Sequence, residues 1–128
     1  MKMVNKNFGK LIVMSLLPLV MTACNSEPIV SYSQDVKPIL DKNCLECHQA
    51  GGAGTLASGF DMSSFEGLLK GTNFGPMVIA DDPEGSNLVV LIEGRADPSI
   101  SMPHGQESIS KQDIQTIRLW ISQGAKNN

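Results

Sequence analysis

The sequence predicts a small all-α domain over residues 32–128 of the 128-residue chain. Three observations point there. Apolar residues recur at helical spacing near both ends of that region, and residues able to cap helices stand beside these runs. The brief apolar stretch Met77-Val78-Ile79 reads as core contact rather than as a strand in a sheet. The length is enough for one domain and not for two.

The first helix is expected over residues 32–47, with Val36, Ile39 and Leu40 on its apolar face. Asp35 is the expected N-cap, which puts Pro38 in the first turn, where its missing N–H costs little. Residues 49–59 contain Gly51, Gly52, Gly54 and Gly59 and read as a loop. A loop and short helix follow over residues 60–69, capped by Ser63 or Ser64, with an apolar stripe of Phe65, Leu68 and Leu69; residues 71–76 break it. Residues 81–86 form a turn, and Ser86 is the expected N-cap of a helix over 87–93 that buries Leu88, Leu91 and Ile92. Residues 95–104, with Pro98 and Pro103, are a loop. The last helix is the clearest. Ser110-Lys111-Gln112-Asp113 resembles a capping box with aspartate in place of glutamate; Ile114, Ile117 and Ile121 mark one face, flanked by Trp120, and Gly124 stops the helix.

Ahead of this domain lies a processing segment. Lys2, Lys6 and Lys10 form a basic start, and an apolar run of thirteen residues follows over 11–23. A bilayer crossing takes roughly 20 apolar residues, so this run fits a secretory signal peptide over residues 1–23 better than a membrane span. Met21-Thr22-Ala23-Cys24 resembles the lipobox of bacterial lipoproteins. That resemblance implies lipidation of Cys24. With Asn25 rather than aspartate next in line, it also favours the outer over the inner membrane in bacteria that have both. Residues 24–31 read as a polar tether; the seven after Cys24, at roughly 3.3 Å each, reach about 20–25 Å from the lipid. The expected location is the periplasm or cell surface, on a bacterial membrane.

Without the three leader lysines, seven basic residues face thirteen acidic ones, so the net charge falls from −3 to −6. Nucleic-acid binding needs a basic face and is excluded as an expectation. The acidic balance suits a redox partner with a basic docking patch, because complementary fields speed encounter.

Cys44-Leu45-Glu46-Cys47-His48 is CxxCH, the attachment sequence for a c-type haem. Two thiols three residues apart on one helical turn can reach the two vinyl groups on one side of a porphyrin and form thioether bonds. The histidine directly after them is held beneath the ring, where its imidazole can bind iron. A shift of one residue would turn it by about 100° off that face. A thioredoxin-like thiol pair would instead follow a buried strand and open a helix. A zinc site needs four ligands, and beyond these three only His104 and carboxylates remain.

One haem c held by Cys44, Cys47 and His48 leaves a second axial position. Met62, Met77, Met102 and His104 are the candidates; Met62 and Met77 read more simply as core filler. Met102 lies in a Ser-Met-Pro loop 54 residues after His48, where Pro103 stiffens the presentation of its sulfur. His104 is the alternative, and the choice matters because a methionine sulfur raises the haem potential whereas a second histidine lowers it.

These stretches together resemble the class I c-type cytochromes, within them the small domains called planctomycete-type cytochrome c. The matching residues are 35–40 ahead of CxxCH, Asp82-Pro83-Glu84-Gly85-Ser86-Asn87-Leu88, Ser101-Met102-Pro103, and the closing helix over 109–125 with its Trp-Ile-x-x-Gly-Ala ending. The resemblance implies an all-α fold whose first and last helices pack across each other beside the haem. It carries thioether attachment onto Cys44 and Cys47 and axial ligation onto His48 and Met102. One departure is His104, which stands where the family often has proline or glycine. The expected function is that of a monohaem electron carrier and not an enzyme, since the sequence supplies no catalytic constellation. The alternative is the haem subunit of an enzyme, or a gas sensor, with an open or displaceable sixth ligand.

Overall fold

The computed structural model describes residues 27–128; the expected signal peptide and the lipidation site Cys24 lie outside them. Six short helical elements make up the fold, and among the described residues there is no β-strand, only an isolated bridge between Thr72 and Gly75. They are a π-helical turn at Tyr32–Val36, α1 at Lys37–Asn43, α2 at Ala53–Ser58, α3 at Phe65–Lys70, α4 at Asn87–Ile92 and α5 at Lys111–Ser122. The all-α expectation holds.

The first helix differs from its expected form at both ends. Its N-cap is Ser31, not Asp35: the Ser31 hydroxyl accepts from the Gln34 N–H at 3.3 Å, and the Asp35 carboxylate accepts from the Ser31 N–H at 2.8 Å. Pro38 keeps its expected place in the first turn of α1, which continues directly from the π-turn. Directly before it the backbone widens into the π-turn, in which the Lys37 N–H donates to the Tyr32 carbonyl. Such a bulge is a common accommodation where a proline ring displaces the carbonyl four residues back. At the other end α1 stops at Asn43, and CxxCH forms a separate turn closed by the His48 N–H donating to the Cys44 carbonyl at 3.0 Å.

The expected tether also differs. From Pro28 onward the chain is laid against the end of α5. The Gln123 amide donates to the Pro28 carbonyl and accepts from the Val30 N–H, both at 2.9 Å, and Val30 is buried. The Asn128 side chain accepts from the Tyr32 N–H at 2.8 Å and its main-chain carbonyl accepts from the Ser33 N–H at 3.0 Å. Ser31, read as tether, is thus the start of the fold.

Behind these contacts lies one hydrophobic core. The π-turn and α4 both pack on α5. Tyr32, Phe65 and Trp120 form an aromatic cluster joining the π-turn, α3 and α5, with ring centroids 4.9 Å apart for Tyr32–Phe65 and 5.6 Å for Tyr32–Trp120. Trp120 was expected to flank the apolar face of α5; it is fully buried, its indole N–H donating to the Lys126 carbonyl at 2.9 Å. Ser110 caps α5 as expected, accepting from the Asp113 N–H at 3.1 Å.

Two further expectations are corrected. Residues 49–59 are not all loop, since α2 forms inside them from Gly52 to a left-handed Gly59. Ser86 precedes α4 but does not cap it with its side chain. It is buried, and its hydroxyl accepts from the Ile79 N–H and donates to the Asp82 carbonyl, each at 2.8 Å.

Candidate functional site

The helices leave a cleft of about 370 Å³, within the range of roughly 300–1,000 Å³ that small-molecule and cofactor sites occupy. One wall is the CxxCH turn with α2; the other is α4 and the loop that follows it. Cys44, Cys47, His48, Met102 and His104 all line it. The structure thus gathers into one place every haem-related residue singled out in the sequence. Met62 and Met77 line it too, although both are buried among core side chains as their reading as filler anticipated.

The imidazole of His48 is fixed from behind. Its Nδ1 lies 3.2 Å from the Phe60 carbonyl oxygen, which also accepts from the Thr55 hydroxyl at 2.8 Å. A carbonyl can only accept, so Nδ1 carries the proton and Nε2 is the nitrogen with a free lone pair. Histidines that bind metals are oriented in this way, by a second hydrogen bond from the far ring nitrogen to a carbonyl or carboxylate. The Met62 N–H donates to the His48 carbonyl at 2.7 Å, and the Phe60 ring meets the imidazole edge-on at 5.4 Å. Against the imidazole lies Gly54: a Cβ there would stand 2.6 Å from Cε1, so only glycine lets α2 approach this closely.

The two thiols differ in environment. Cys47 is exposed, whereas Cys44 is half-buried and packs against the core. Burial, helped by the neighbouring Cys47, pushes the Cys44 thiol up to about 11. That is opposite to the depressed values of thioredoxin-like pairs, whose chemistry depends on a ready thiolate. Nor, among the described residues, do three or more His, Cys, Asp or Glu side chains cluster as ligands for a metal ion, as the zinc alternative would need.

On the opposite wall Met102 is half-buried against the core, and its N–H donates to the Leu91 carbonyl at 3.2 Å, tying the loop to α4. His104 is exposed.

Residues 44–105 match the family model described as Planctomycete cytochrome C. The chain contains a planctomycete-type cytochrome c domain. No curated protein and no solved structure matches it. The match runs from the first cysteine of CxxCH to the end of the Met102 loop and so covers both walls of the cleft. That family implies a haem-binding electron-transfer domain with covalent haem c, typically outside the cytoplasm. The donor set of the cytochrome fits that group: two unpaired thiols and a tautomer-fixed imidazole on one wall of an apolar cleft. Among the described residues no helix is long and apolar enough to cross a membrane. Sequence reading missed the Phe60 carbonyl and Gly54. The first is a backbone atom with no signature in the sequence, and the second was one of several glycines in a segment read as loop.

Proposed function

We propose that this cytochrome is a single-haem electron carrier, anchored by lipid at Cys24 and working between membrane-associated or periplasmic redox partners. The observation that carries the reading is the His48 imidazole, held by the Phe60 carbonyl so that Nε2 is free, on the same cleft wall as Cys44 and Cys47. Cys44 and Cys47 hold the porphyrin by thioether bonds, and His48 supplies one axial ligand. Met102 supplies the other. It is favoured over His104 because its side chain already packs on the core and its loop is tied to α4, so presenting the sulfur orders little extra chain. Haem c bound in this way supplies a one-electron couple whose potential follows from the axial ligands and the surrounding shell.

The test uses protein exported with the haem maturation machinery. Mass spectrometry of the processed chain should show one haem and a lipid at Cys24, and the red colour should survive acid–acetone extraction. A colourless chain ends the reading. Carbon monoxide should leave the ferrous spectrum largely unchanged in the wild type and shift it in Met102→Ala, while His104→Ala behaves as wild type. Immediate binding of carbon monoxide by the wild type would favour the open-site enzyme or sensor instead.

A further inference from the structure

Two large apolar side chains stand out in the open beside the cleft: Leu56 on α2, 77% exposed, and Phe74, 86% exposed. Phe74 occupies the tip of a tight turn in which the Thr72 N–H donates to the Gly75 carbonyl at 2.9 Å, a place where polar residues and glycine are usual. The backbone next to each is tied to a residue that lines the cleft. The Thr55 N–H, next to Leu56, donates to the Cys47 carbonyl at 3.1 Å, and the Asn73 N–H, next to Phe74, donates to the Ser58 carbonyl at 2.8 Å. Cys47 is itself exposed. Leu56 and Phe74 therefore each stand next to a residue bonded to the lining of the cleft, where Cys47 is exposed.

The chain segments that line the cleft are predominantly acidic. Between residues 43 and 110, which include every segment lining the cleft, nine carboxylates stand against Lys70 and Arg95 alone. Arg95 is already held by Glu93 at 2.6 Å and Glu84 at 3.3 Å. Glu46 lies inside CxxCH beside Cys47, and Asp61 lies between the cleft residues Phe60 and Met62. An apolar centre with an aromatic residue and a charged rim is the anatomy of a protein interface. Rim charges of one sign select a partner of the other sign and steer its approach.

We propose that Leu56 and Phe74 form the apolar centre of a docking surface for a basic redox protein, with Glu46 and Asp61 among its acidic rim. The inference rests on the carrier reading above and adds the face on which electrons are exchanged, next to the Cys47 edge.

The experiment uses the haem-loaded full chain and two probes: a lysine-rich mitochondrial cytochrome c as the basic protein, and ferricyanide with ferrocyanide as a small couple. Electron exchange is followed by stopped-flow mixing in the downhill direction. The wild-type rate with the basic protein should fall steeply with added salt. Leu56→Ser with Phe74→Ser should lower it at least tenfold while leaving the haem spectrum and the small-couple rate unchanged. Glu46→Gln with Asp61→Asn should flatten the salt dependence. Wild-type rates in the Leu56/Phe74 variant, or no effect of salt, would overturn the proposal. So would a wild-type dimer in sedimentation velocity that this variant makes monomeric, since the patch would then belong to a second copy. A purified chain with no covalent haem refutes the carrier reading itself, and the docking surface with it; with haem in place only the surface is at stake.

Discussion

Gly54→Ala probes the support behind the imidazole. The new Cβ would stand 2.6 Å from His48 Cε1 and 2.9 Å from both ring nitrogens, where ordinary contacts begin near 3.4 Å. Ring or helix must therefore yield by about 0.8 Å. Overpacking of this kind costs about 1–3 kcal/mol. A ring displaced from the Phe60 carbonyl also forfeits a hydrogen bond with a net worth of about 0.5–1.5 kcal/mol. Replacing glycine by alanine inside a helix returns up to about 1 kcal/mol. The clash wins, and a net loss of about 2 kcal/mol is expected in guanidinium unfolding of the haem-loaded protein. The ferric spectrum should change as well, because Nε2 can no longer hold its position. Ala57→Ser, on the exposed side of the same helix, should stay within about 0.5 kcal/mol of wild type. A Gly54→Ala protein with wild-type stability and an unaltered spectrum would refute the claim that α2 and the Phe60 carbonyl hold the imidazole between them.

Other outcomes follow from the same structure. Ser86→Ala removes the buried hydroxyl that joins the Ile79 N–H to the Asp82 carbonyl and should cost about 0.5–1.5 kcal/mol; denaturant titration measures it. Trp120→Ala empties the junction of the π-turn, α3 and α5 and should cost about 3–5 kcal/mol by thermal or chemical unfolding. A hydrogen bond from Arg118 and its positive charge hold the Glu84 carboxyl below the ordinary glutamate range. A depressed carboxylate contributes stability that is fully present above its unfolded value, about 4.3, and is lost as pH falls through the lower folded value. Unfolding midpoints should therefore decline on acidification below about pH 4.5, and Arg118→Gln should shrink the part of that decline due to Glu84.

Features written in short-range pattern were legible in the sequence. CxxCH encodes its own turn, because three ligand positions within five residues need no knowledge of the rest of the fold. α5 was legible for a similar reason: Ser110 caps it, Ile117 and Ile121 bury one face, and a left-handed Gly124 follows its end. The first helix was misjudged at its cap because Ser31 seemed to belong to a polar connector, and only contacts with Gln123 and Asn128, more than ninety residues away, make it part of the domain. α2 was hidden by glycines that lower helix propensity, although Gly54 is what its approach to His48 requires. Ser86 illustrates a residue type with two uses. It has the right position for a cap, but tertiary packing turns its hydroxyl to the Ile79 backbone.

The clasp between residues 28–33 and the end of α5 bears on how the molecule would carry a mechanical load. A pull at residue 27 passes through Pro28 and Val30 to Gln123, and through Tyr32 and Ser33 to Asn128. Cys47, His48 and Met102 take no part in these contacts themselves. Were the chain held by the residues ahead of 27, as the proposed anchor requires, a tug there would meet this clasp before it met the ligand-bearing walls.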